Sequence, residues 1–151
     1  SSGAVVTLTT NSGTFVNAST GTIAGVGRLN AGSVTFTNNG TVSPGLSAGQ
    51  LNVTGNYTQG AGGTFAAEIG GLTVATEFDQ LNVSGQATLD GALDITVISF
   101  APSFGETFVI LSAGSITGTF ATVTGLDIVG GVLRFEVSYG GTSVTLTVVS
   151  T

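Results

Sequence analysis

Ser12-Gly13-Thr14-Phe15-Val16-Asn17, Ser33-Val34-Thr35-Phe36-Thr37-Asn38 and, more loosely, Thr54-Gly55-Asn56-Tyr57-Thr58-Gln59 are one phrase repeated at intervals of 21 residues. Leu8, Leu29 and Leu51 keep nearly the same beat, preceding the aromatic by seven, seven and six residues. A period near 20 residues, written in β-formers and Gly, fits one rung of a β-solenoid. Residues two apart in a strand share a face. Rungs stacked ~4.8 Å apart therefore set Phe15, Phe36 and Tyr57 in one column, with Asn17, Asn38 and Gln59 beside it. Stacked aromatics and amide ladders stabilise that geometry.

The rest of the composition agrees with an all-β chain. Of 151 residues, 25 are Gly and only ten are charged, two basic and eight acidic. No stretch carries the charged 3.6-residue pattern of an amphipathic helix. His, Cys and Lys are absent. Their absence removes a Ser-His-Asp arrangement, a thiol nucleophile, the usual zinc ligands and a P-loop. With Arg28 and Arg134 as the only cations and a net charge of −6, nucleic acid is not an expected partner. No apolar run reaches the ~20 residues of a membrane helix, so membrane insertion is not expected either. The chain opens at Ser1-Ser2-Gly3 with neither Met nor a signal peptide. We expect a processed or excised piece of an exported protein.

A second echo has a longer interval. Gln50-Leu51-Asn52-Val53-Thr54-Gly55 returns thirty residues on as Gln80-Leu81-Asn82-Val83-Ser84-Gly85. Gly60-Ala61-Gly62-Gly63 and Gly70-Gly71 take up the extra length. The sequence thus divides into rungs over 1–60 and a C-terminal region over 61–151 that continues or caps the rod. That region is expected to be antiparallel and more sandwich-like. Leu126 to Val129 reads as one of its strands. Gly140-Gly141, between two alternating runs, reads as a type I′ turn with positive φ at both glycines.

At this point the residues resemble a known class. Asn39-Gly40-Thr41-Val42-Ser43-Pro44-Gly45 and Leu51 to Gln59 look like the rung-and-corner motif of autotransporter passenger domains and related bacterial β-helical surface proteins. Glu68-Ile69-Gly70, Asp79 to Gly85 and Ala87 to Leu93 look like the same motif, and Gly105 to Ala113 with Ile116 to Phe120 is similar to the segment near the C-terminal end of such passengers. The resemblance covers roughly residues 12 to 147. It implies a bacterial extracellular or cell-surface location and a β-helical fold; adhesins, spacers and filament proteins share that class.

Few side chains invite chemistry. Asp90 and Asp94 share a strand face and could hold Ca²⁺ or substrate oxygens, but Asp90-Gly91 is a common turn pair and solvated carboxylates are the expectation. Glu77 and Asp79 lack the ~6–8 oxygens that Ca²⁺ takes. A glycosidase needs two opposed carboxylates, which eight acidic residues permit only formally. We expect no enzyme and no cofactor. Val6-Thr7-Leu8-Thr9 and Val144-Thr145-Leu146-Thr147 are the same four uncharged residues near the two ends. Edge strands normally carry charge or Pro against pairing. Either both are ordinary strands, the second sealed by its own hairpin, or one end of a subunit pairs with the opposite end of the next. A head-to-tail contact that does not close makes a filament. The expected function is a non-enzymatic extracellular structural protein that self-assembles into a surface fibre or stalk. The alternative is an adhesin-type module that binds glycans or a host surface through Thr, Asn and Tyr rows.

Overall fold

The computed structural model describes residues 4–7, 13–45 and 47–151. The described chain is all-β, with no helix, in two mostly parallel sheets. The strands are β1 (Ala4–Thr7), β2 (Phe15–Asn17), β3 (Thr22–Gly25), β4 (Gly27–Asn38), β5 (Thr41–Pro44), β6 (Gln50–Gln59) and β7 (Thr64–Ile69). They continue as β8 (Gln80–Leu89), β9 (Ala92–Val97), β10 (Thr107–Gly118), β11 (Thr122–Thr124), β12 (Leu133–Tyr139) and β13 (Ser143–Ser150). The larger sheet runs β1-β4-β6-β8-β10-β13-β12, with β2 also on β4. The smaller runs β11-β9-β7-β5-β3.

From β3 to β11 the chain alternates between the sheets and returns to each by a parallel step. Alternation along every strand turns apolar residues inward. Leu29, Phe36, Leu51, Val53, Tyr57, Leu81 and Val83 from the larger sheet are buried with Val42, Phe65, Ile69, Leu93 and Ile95 from the smaller. Thr and Asn alternate with them on the outside.

The corner from the larger sheet into the smaller explains its glycines. Gly21 and Gly40 carbonyls accept from Thr41 N and Thr64 N, at 2.9 and 2.8 Å; Gly63 and Gly91 repeat the step toward Ala92 and Thr122. A Cβ on Gly40 would strike the carbonyl oxygens of Gly21 and Ala18 in the coil below. Only a residue without a side chain lets successive corners approach so closely.

Parallel stacking extends well past residue 60, contrary to the expected change there. β8 lies parallel on β6, β10 on β8, β9 on β7 and β11 on β9. Apart from single bridges at Gly25–Gly45 and Ile69–Phe78, antiparallel pairing between strands begins where β13 meets β10 and β12 meets β13. The thirty-residue repeat is a longer coil of the same kind. Its added length goes into Gly60 to Gly63 and the loop from Gly70 to Asp79, and Leu51 still faces Leu81. A larger loop changes the interval without changing the stacking.

Three finer expectations also change. Leu29 faces Val53, and Leu51 faces Gly27, because the register slips between Asn30 and Thr35; the leucine beat does not mark partners. Leu126 to Val129 is no strand but a strip beside β12, bridged at Asp127 and Arg134. Neither Gly140 nor Gly141 has positive φ. Their loop holds three residues between β12 and β13, and its carbonyls are engaged: Thr142 O accepts from Ala113 N and Gly141 O from Ile116 N, both at 2.9 Å.

Candidate functional site: the inner ladder and the two ends

The repeated phrase forms one continuous internal ladder. Phe15 faces Phe36, which faces Tyr57, with ring centroids 5.1 and 5.3 Å apart. Asn17 faces Asn38, which faces Gln59. All three amides are buried, where an unbonded polar group costs stability. Asn17 Nδ2 donates to Asn38 Oδ1 at 2.9 Å and also to Thr41 O at 3.1 Å. Asn38 Nδ2 donates to Thr64 O at 3.2 Å, and Gln59 Nε2 to Ala92 O at 2.9 Å. Thr41, Thr64 and Ala92 each open a smaller-sheet strand one coil further on, so every amide fastens its own coil to the next. The Tyr57 hydroxyl donates to Gln59 Oε1 at 2.9 Å. Burial pushes the Tyr57 phenol well above the usual tyrosine range, with a hydrogen bond to Asn38 opposing it.

The matching end sequences fare differently. Val6 and Thr7 lie in β1, an edge strand of the larger sheet, paired with Leu29 and Asn30 of β4. Leu8 and Thr9 lie outside the described residues. Val144, Thr145, Leu146 and Thr147 lie in β13, between β10 and β12. Val144 and Leu146 are fully buried. Both edges of that strand are taken, so it offers no backbone to another chain. The returning hairpin of β12 covers its outer side.

Beyond β13 the end is closed further. Phe135 N donates to Leu126 O at 2.8 Å, and Ile128 N to Leu133 O at 3.1 Å. The outer strand β12 carries Arg134 and Glu136 pointing outward, and charge on an edge discourages pairing. In the smaller sheet, by contrast, the terminal strands are β3 and β11, both uncharged. Among the described residues each pairs on one side only.

The carboxylates have separate tasks. Asp90 Oδ1 accepts from Gly91 N at 2.7 Å, which closes a turn, and Asp94 Oδ1 accepts from Thr124 Oγ1 at 2.8 Å. Glu77 Oε2 accepts from Leu72 N and Thr73 N at 3.0 and 2.8 Å. Its hydrogen bonds, that to Thr73 first, hold its carboxyl below the ordinary glutamate value. No group of three metal-ligating side chains comes together among the described residues.

Asp79 is weighed from the sequence only as a calcium ligand beside Glu77, and its role in the structure is a different one. It is fully buried, and its two oxygens accept from Gly49 N at 2.8 Å and Glu68 N at 2.9 Å. It thus joins the loop before β6 to strand β7. Burial pushes its carboxyl up to about 7, helped by the Glu68 charge and opposed by the two backbone donors. One Glu68 oxygen, Oε2, is buried without a protein partner. The signal in the sequence was slight: Asp79 precedes the second Gln-Leu-Asn-Val, where the first copy has Gly49.

Set against protein-family models and against curated proteins, the chain matches none.

Proposed function

We propose that the chain is a non-enzymatic structural protein of the bacterial cell exterior, a β-solenoid rod akin to autotransporter passengers that stacks end to end. The observation that carries the reading is the ladder of Asn17, Asn38 and Gln59. Each amide bonds a strand start one coil ahead, which makes stacking itself the source of order. The regular return to each sheet supports the solenoid.

We assign the proposed head-to-tail contact to the smaller sheet rather than to the Val-Thr-Leu-Thr segments, because β13 is paired on both sides while β3 and β11 each pair on one side among the described residues. There β3 of one copy, starting at Thr22, continues the column that ends at Thr122 in β11 of the next. Thr122 N donates inward to Gly91 O at 3.1 Å, so alternation turns the Val123 N–H outward. Val123→Pro removes that donor and leaves the internal ladder intact. Wild-type protein should form end-to-end stacks in size-exclusion chromatography and electron microscopy, and Val123→Pro should not, with its circular dichroism unchanged. Stacks that persist in the variant would exclude this edge. A strictly monomeric wild type at all concentrations would exclude assembly.

A further inference from the structure

We propose that the outer face of the larger sheet carries a binding site for a carboxylate-bearing oligosaccharide, centred on Arg28. Arg28, Asn52, Asn82 and Ser112 face one another in register across β4, β6, β8 and β10. With Thr54 and Ser84 they line a groove of about 330 Å³. That is the lower end of the range for small-molecule sites, ~300–1,000 Å³.

The donors of this groove are loosely committed. Asn82 Nδ2 reaches Asn52 Oδ1 at 3.4 Å, and Asn52 Nδ2 reaches Gly27 O at 3.4 Å. Both are long for hydrogen bonds and yield readily to better partners. Ser84 Oγ accepts from Gly55 N at 2.9 Å, which leaves its O–H to donate outward. Arg28 is exposed, and none of the chain's eight acidic residues lines the groove with it. A guanidinium fork matches a carboxylate in a bidentate pair. In a chain of net charge −6 with two cations, one placed among amides and hydroxyls selects a ligand with a single acidic group per contact.

The surroundings favour sugar over peptide. Each of β4, β6 and β8 is paired on both sides, so no strand edge is open here for a peptide to extend. The polar side chains instead repeat every ~4.8 Å across the strands, a spacing on the scale of one ring in a linear glycan. The carboxylate would sit on Arg28 and ring hydroxyls on Asn52, Asn82 and Ser84. This site does not depend on how the rod assembles.

Calorimetric titration with tetragalacturonate, and with a neutral galactose tetrasaccharide of the same length, tests the site. The uronate should bind saturably, at least about tenfold more tightly than the neutral sugar, and weaken as salt rises. Arg28→Gln, exposed and so harmless to folding, should lower uronate affinity by about tenfold or more, and Asn82→Ala by a smaller factor. Absence of saturable uronate binding, equal binding of the neutral sugar, or unchanged affinity in Arg28→Gln would overturn the proposal. So would equally tight binding of an oligoglutamate peptide.

Discussion

Two residues show how differently the same chemistry behaves by position. Gly40 sits where a Cβ meets backbone carbonyls of the preceding coil, whereas a Cβ on Gly141 meets nothing within 4 Å. Gly40→Ala should therefore cost about 3 kcal/mol, the upper end of overpacking penalties, and Gly141→Ala should stay within ~0.5 kcal/mol. Urea titration of the two variants separates these outcomes. Asp79 makes the second case. Its folded carboxyl lies near 7, above the ordinary 3.8, so the folded state holds a proton that the unfolded chain releases earlier. The stability tied to that proton is complete below the ordinary value and is lost as pH rises through about 7. Unfolding free energy should fall across that window, and Asp79→Asn should flatten the slope. An unchanged slope in the variant would mean that another group titrates there.

At the scale of elements, the hairpin of β12 and β13 is the part that differs from everything before it. It ends the parallel run on β10 and brings Phe135 against Phe108 at 6.0 Å, edge to face; Phe78 and Phe100 meet the same ring at 5.4 and 6.2 Å. Phe135→Ala should cost ~3–5 kcal/mol and loosen the hairpin, which thermal melts and near-ultraviolet circular dichroism would register. The sequence made the phrase at Phe15, Phe36 and Tyr57 legible because one spacing placed identical chemistry in one column. It hid the continuation, because the coil that carries Ala87 meets Tyr57 with a methyl group and arrives thirty residues later. A parallel neighbour leaves no mark on its partner's local pattern. The two glycines of the hairpin were legible as a turn but not as its type, since the loop's shape is fixed by bonds to β10. The buried role of Asp79 was illegible for a related reason: its donors, Gly49 and Glu68, stand thirty and eleven residues away in sequence.

Across the described residues of the whole molecule, one end of the larger sheet is finished, whereas β3 and β11 of the smaller sheet each pair on one side only. Charge on β12, the strip from Leu126 to Ile128 and the buried β13 close the first, while the uncharged β11 terminates the second. If the proposed end-to-end stacking holds, growth would run through the smaller sheet and leave the larger sheet's outer face free for ligands such as the one proposed at Arg28. The coil-to-coil amide bonds carry a further meaning in time. Each is made only when the following coil is in place, whereas the β12–β13 hairpin is local in sequence and needs only a short loop closed. Ordering should thus start at the C-terminal hairpin and travel backwards, each coil becoming the template for the one before it. Amide hydrogen exchange should be slowest in β10 and β13 and quicken coil by coil toward β2.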